Sequence, residues 1–100
     1  MGKRAKKPYI DRLFSYILAL ESVEECHQFF DDICTVSELQ AITQRMEVAE
    51  LLDQGITYTE IAEKTGASTA TISRVNRSLN YGTDGYKLLI DRMKENENQK

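Results

Sequence analysis

The chain has 100 residues and a net charge of −3, with 41% hydrophobic and 29% charged residues, one Pro and five Gly. This length and this balance predict a single compact domain. No stretch reaches the roughly eighteen uncharged apolar residues of a membrane span, and the first residues lack the apolar core of a secretory signal. We therefore expect a protein of the cytoplasm that contacts no membrane.

Few residues in this sequence could support catalysis or bind a metal. Cys26 and Cys34 flank the single His27 at a spacing that fits neither a disulfide scaffold nor a usual zinc site, so we expect two buried free thiols. His27 stands among acidic residues and is expected to be exposed or at an interface. The lone His and the absence of nucleophile or phosphate-loop motifs indicate a protein that is not an enzyme and that has no cofactor or metal.

Positive charge is concentrated in two segments of an otherwise acidic chain. Residues 1–9 carry +4 and residues 67–82 carry +2, whereas residues 18–34 carry −5. Binding to phosphates needs only a local positive surface, so the acidic remainder does not exclude nucleic acid as a partner. The first of these segments contains the basic arm (residues 1–8), whose cations are Lys3, Arg4, Lys6 and Lys7. The arm fits a solubilising tail and a phosphate-binding arm equally well.

The first two helices are predicted from apolar residues at helical spacing. A stripe on one face indicates a helix from about Tyr9 to Leu20; it comprises Ile10, Leu13, Phe14, Ile17 and Leu18. The capping box that begins at Ser22 predicts a second amphipathic helix. Its apolar positions are Cys26, Phe29, Phe30, Ile33 and Cys34.

A longer third helix is predicted to follow a second capping box at Thr35–Glu38. Its apolar face comprises Leu39, Ile42, Met46, Ala49 and Leu52. Gly55 stands where a left-handed C-terminal cap would end the helix. At 1.5 Å per residue the helix would be roughly 25 Å long.

Three further helices complete the chain, which shows no strand pattern or repeat and is therefore predicted to be all-α. A third box at Thr57–Glu60 opens a short helix that stops at Gly66, and Ser68 can cap the next helix. The inward positions of that helix are Ile72, Val75 and Leu79, and those of the last helix are Tyr86, Leu89, Ile90 and Met93. We expect the single domain to span residues 9–95 and the polar segment from Glu95 to Lys100, including the tail at 96–100, to fray.

The segment at about residues 57–80 has the pattern of a helix-turn-helix. Ala62 allows a close helix crossing, Gly66 can adopt the positive φ of the turn, and Ile72 can anchor the second helix on the first. The outer side of the second helix is small, hydroxylated or basic and suits the major groove of DNA. Its residues are Ser68, Thr69, Ala70, Thr71, Ser73, Arg74 and Arg77. The alternative is a helical hairpin that only packs.

Residues from Ser37 to about Tyr86 closely resemble the Trp repressor family, above all in the segment GASTATISR and the following SL. The sequence looks most like the Trp-repressor-related YerC/YecD branch. This resemblance implies a six-helix fold, an interlocked homodimer that exchanges its N-terminal helices, and a DNA-reading head at each end. Recognition helices about 34 Å apart would then face successive major grooves of a near-palindromic operator.

The resemblance also bears on the ligand. Tryptophan-responsive members hold the corepressor between the central and recognition helices, with an arginine on each and a glycine beside the ring. Arg74 and Ser78 match this slot, but Val75 stands at the glycine position and Gln44 at the central-helix arginine. Arg45 is turned by about 100° from that position. We therefore expect that tryptophan is not the effector; whether another effector exists stays open.

These observations together predict a homodimeric, sequence-specific DNA-binding transcriptional regulator, and the resemblance implies a repressor. Thr69, Ala70, Thr71 and Ser73 would lie nearest the bases, and Arg74, Arg77 and Thr59 nearer the phosphates. One alternative is a helical module that binds another protein of the transcription machinery. The other is a small dimeric enzyme in which Arg45 or Arg74 holds the carboxylate of an anionic metabolite.

Overall fold

A computed structural model describes residues 8–98, and within that range all regular structure is helical. The six helices are α1 (Pro8–Leu18), α2 (Val23–Ile33), α3 (Val36–Asp53), α4 (Tyr58–Thr65), α5 (Thr69–Tyr81) and α6 (Gly85–Asn98). The predicted all-α fold is confirmed. Contacts divide the chain into two units that meet between Val36 and Ser37, and each is described by itself. The single domain at 9–95 stays a prediction.

Local signals in the sequence set where most helices begin and end. The side chains of Ser22, Thr57 and Ser68 each accept a hydrogen bond from the backbone N–H three residues on, at the start of α2, α4 and α5. Such a cap satisfies one of the donors that the first helical turn leaves without a partner. Gly55 and Gly66 have φ of 82° and 74° after α3 and α4, which is the predicted left-handed conformation.

The core lies in the second unit, where α3, α4, α5 and α6 contribute to one apolar cluster. Its buried members are Val48, Ala49, Ile61, Ala67, Ile72, Val75 and Ile90. Ile61 and Ile72 are completely buried, and each such side chain contributes roughly 1.5–3 kcal/mol of transfer free energy. This cluster fixes α4 and α5 against the second half of α3.

The predicted apolar face of α3 is wrong in part. Val48, which was not assigned to that face, is completely buried, whereas Ile42 was assigned to it and is 46% exposed. Apolar residues occur around most of the circumference of α3, so their spacing alone could not determine which side meets the core.

The first unit exposes its apolar residues. Neither α1 nor α2 contains a buried residue. Phe14 is 51% exposed and Leu18 84%. Cys26 and Cys34 are free, as expected, but Cys26 is exposed and Cys34 half-buried, so the prediction of two buried thiols is wrong for the single chain. The reason is that α2 packs no side chain into a core within this unit.

Two helix ends differ from expectation. Helix α1 ends at Leu18 rather than at Leu20, and α6 continues to Asn98, past Glu95, from which fraying was expected. Near its end, α6 is joined to α3 by an ion pair of 2.8 Å between Lys94 Nζ and Asp53 Oδ2. The cations of the basic arm and the last two residues lie outside the described range. Within that range no helix is long and apolar enough to cross a membrane.

Candidate nucleic-acid interface

Helices α4 and α5 and the three residues between them form the predicted helix-turn-helix, which we call the reading head (residues 58–81). The two helices pack on each other. Ile61 of α4 is fully buried with Ile72 of α5, and Val75 is only 2% exposed. The turn between them can form because Gly66 adopts a positive φ, which would strain any residue with a Cβ. The core therefore fixes which side of α5 faces outward.

Helix α5 separates an apolar side from a polar side. Ile72, Val75 and Leu79 are buried. At 100° per residue, the five outer residues occupy an arc of about 140° on the opposite side. These residues are Thr69, Ala70, Ser73, Arg74 and Arg77, and all are exposed. This outer surface carries two guanidinium groups and no carboxylate, so its local charge is positive.

The start of α5 is held by paired hydroxyl groups. Ser68 Oγ accepts a hydrogen bond from the Thr71 backbone N–H at 3.1 Å and donates one to Thr71 Oγ1 at 3.0 Å. Thr71 is half-buried because it lies at the edge of the outer arc, beside the core side. Thr59, in the first turn of α4, is exposed. The structure therefore places on the reading head the eight predicted DNA-contacting residues that lie outside the basic arm, seven of them exposed and Thr71 half-buried.

The residues that were expected to form an altered corepressor slot have different surroundings in the structure. Val75 belongs to the core cluster, beside Val48 and Ile61. Arg74 and Ser78 are exposed, and so is Arg45 of α3. Gln44 instead turns toward the reading head, where its Nε2 lies 3.1 Å from the Thr65 carbonyl oxygen. This contact joins residues 21 positions apart, so the spacing of residues within α3 could not predict it.

The groove beside α5 and α6 does not contain the arginines that the enzyme alternative names. A groove of about 610 Å³ at the junction of α5 and α6 has a mostly apolar lining without a charged side chain. Its lining residues are Met46, Ser78, Gly82, Thr83, Gly85, Tyr86 and Leu89. Arg45 and Arg74, which the enzyme alternative requires, are not among them. No group of three His, Cys, Asp or Glu residues in residues 8–98 is placed to hold a metal ion.

Comparison with known proteins links this geometry to a family. The model of the Trp repressor protein family matches residues 9–94. Over 90 residues, the chain is 56% identical to the uncharacterized protein YerC of Bacillus subtilis (strain 168), covering 90% of this chain and 86% of that protein.

Two solved structures share the fold. One is the crystal structure of a Staphylococcus aureus protein provisionally named a Trp repressor, with a TM-score of 0.86, 54% identity and 89% of each chain covered. The other is that of a TrpR-like protein from Eubacterium eligens ATCC 27750, with a TM-score of 0.87 and 53% identity. That match covers 89% of this chain and 92% of the other. The similarity therefore extends over both units of the chain.

Proposed function

Because the chain belongs to the Trp repressor family, we propose that it is a sequence-specific DNA-binding regulator of transcription that represses its target genes. The observation that carries this proposal is the outer surface of α5, which is exposed, contains no acidic residue and lies opposite a buried core side. A rigid helix with such a surface can enter the major groove. A regulator of this kind works beside bacterial DNA in the cytoplasm.

The outer residues of the reading head divide into two roles. Thr69, Ala70 and Ser73 lie in the first half of α5, and in a helix-turn-helix this half contacts base edges. A Thr methyl or an Ala side chain can contact the thymine methyl group, and a hydroxyl can bond to a base edge. Thr71 joins them at the edge of this surface. Arg74, Arg77 and Thr59 contact phosphates, which positions the head on the duplex.

The protein acts as a homodimer. Helices α1 and α2 contain no buried side chain and expose several large apolar ones. These include Tyr9, Phe14, Leu18, Val23 and Ile33. Several large apolar side chains exposed together are typical of an interaction surface, and a second copy of the chain is the occupant that the family membership supports. Two-fold symmetry then places two reading heads on a near-palindromic operator.

Tryptophan is not the effector of this regulator. The Val75 side chain is 2% exposed and belongs to the core cluster. The family resemblance puts Val75 at the position of the glycine beside the corepressor ring, so its side chain would take the space of that ring. A ligand shifts a conformational equilibrium only through different affinities for the two states. Because the slot is filled, the reading head keeps its position without a corepressor. An effector of another kind would need a different binding site.

The experiment that tests this function compares two arginine substitutions in equilibrium binding to duplex DNA over a range of salt concentrations. Arg77→Ala removes a cation of the outer surface, whereas the matched control Arg92→Ala removes an exposed cation of α6. Each phosphate contact contributes about one unit to the slope of log affinity against log salt. We expect Arg77→Ala to weaken binding and to reduce the slope by about one unit, and Arg92→Ala to behave like the unmodified protein.

Equal effects of the two substitutions would contradict the assignment of the outer surface of α5 to DNA. No binding to DNA at any salt concentration would instead favour the alternative in which the reading head binds another protein.

A further inference from the structure

The carbonyl group at the end of α4 has a partner on another helix. The last carbonyls of an α-helix cannot be satisfied within the helix. Here the Gln44 side chain of α3 donates a hydrogen bond from Nε2 to the Thr65 oxygen at 3.1 Å, across 21 positions of sequence. Both residues are half-buried, so the bond is sheltered from water on part of its surface. Gln44 therefore caps the C-terminus of α4 from outside.

The Thr65 side chain connects the same point to the turn. Its Oγ1 donates to the Ile61 carbonyl oxygen at 2.8 Å and accepts from the Ala67 backbone N–H at 3.1 Å. Ala67 is 95% buried in the core cluster, because only 5% of its surface is exposed. A chain of hydrogen bonds thus runs from α3 through Thr65 to the residue that precedes the N-cap of α5.

We propose that Gln44 is a positioning residue that fixes the turn, and with it the outer surface of α5, relative to α3 without a bound ligand. The inference rests on the proposed DNA-binding function. The apolar core packs against one side of the reading head but makes no polar contact with the turn. Gln44 supplies a polar contact to the turn. A neutral amide suits this place, since it donates to the carbonyl oxygen without burying a charge.

The residue type matters at this position. A Glu side chain has the same shape, but its ionised carboxylate has only acceptor atoms. The carboxylate would therefore repel the Thr65 carbonyl oxygen. A Leu side chain fills a similar volume and donates nothing. Both changes remove the bond without creating a large cavity, so they separate the positioning of the turn from the packing of the core.

The test compares Gln44→Leu and Gln44→Glu with the matched control Gln40→Leu, which makes the same change on an exposed position one turn earlier in α3. Two measurements are made at a temperature where circular dichroism shows each variant fully folded. One is the hydrogen-exchange rate of the Ala67 amide by NMR, and the other is affinity for duplex DNA.

We expect both Gln44 variants to exchange the Ala67 amide faster and to bind DNA roughly three- to tenfold more weakly, as for the loss of one hydrogen bond. Gln44→Glu should show the larger effect and Gln40→Leu none. A merely stabilising role would leave the affinity of the folded protein unchanged.

If both Gln44 variants bind DNA as tightly as the unmodified protein, the positioning role of Gln44 is contradicted. The proposed DNA-binding function is not affected by that result. If the unmodified protein fails to bind DNA, the proposed function falls and the role of Gln44 in DNA binding falls with it. The unmodified protein as reference therefore distinguishes the two failures.

Discussion

At the scale of single residues, Ser68 joins the stability of α5 to the proposed interface. Its hydroxyl accepts a hydrogen bond from the Thr71 backbone N–H and donates one to the Thr71 hydroxyl. Ser68 therefore both caps the helix and orients a neighbouring side chain of the reading head. Thr57 makes the equivalent cap on α4, where its Oγ1 accepts from the Glu60 N–H at 3.2 Å. Thr57 is not among the residues proposed to contact DNA. The two caps thus form a natural pair for comparison.

We predict that Ser68→Ala and Thr57→Ala each lower the free energy of unfolding by about 1 kcal/mol, because each leaves a helix N-terminus without its cap. Urea denaturation measures this loss. Only Ser68→Ala should also weaken DNA binding when both variants are fully folded. Equal affinities for DNA in the two variants would remove Ser68 from the interface and leave it a structural cap.

At the scale of helices, one ion pair joins the end of α6 to the end of α3. The hydrogen bond from Lys94 to Asp53, together with the negative charge of that carboxylate, raises the pKa of Lys94 above its ordinary value of 10.5. A group whose pKa is raised in the folded state stabilises the fold fully below its unfolded pKa. This contribution is lost as the pH rises through the folded pKa. The contribution of Lys94 is therefore present at neutral pH and is lost in alkaline solution.

We predict that Asp53→Asn returns the titration midpoint of Lys94 toward the ordinary value, since it removes the largest causes of the shift. The midpoint is measured by NMR from the Lys94 side-chain carbon and nitrogen signals. Asp91→Asn is the control, because Asp91 raises the pKa of Lys94 through its charge alone and less than Asp53 does. A midpoint that Asp53→Asn leaves in place would show that the pair does not form in solution.

The helices also show what a sequence pattern can predict. The caps at Ser22, Thr57 and Ser68 and the left-handed Gly55 and Gly66 depend on neighbours within a few residues, so local reasoning identified them. The positions of the outer residues on α5 followed from its periodicity in the same way.

Other features depend on residues far apart in the chain. The Gln44–Thr65 bond spans 21 positions and the Lys94–Asp53 pair 41. Neither can be read from a helical period, and the second accompanies the extension of α6 beyond Glu95. The burial of Val48 rather than Ile42 likewise depends on which side of α3 meets the reading head.

At the scale of the whole molecule, the two units of the chain differ in how much of their apolar surface they bury. The second unit has its own apolar core and presents the reading head. The first unit contributes two helices without a buried side chain. In the proposed homodimer, one association would cover α1 and α2 and provide two reading heads. The symmetry of the dimer should then appear in the DNA that it binds.

The most direct measurement is a selection of bound sequences from a random pool of DNA duplexes by the purified protein, at near-physiological salt and without tryptophan. We predict enrichment of a near-palindrome whose half-sites lie about one helical turn apart, roughly 34 Å. Addition of tryptophan should leave the enrichment unchanged, because we propose that the buried Val75 side chain takes the space of the indole ring. Enrichment that requires tryptophan would contradict the filled slot, and no enrichment in either condition would contradict the DNA-binding function itself.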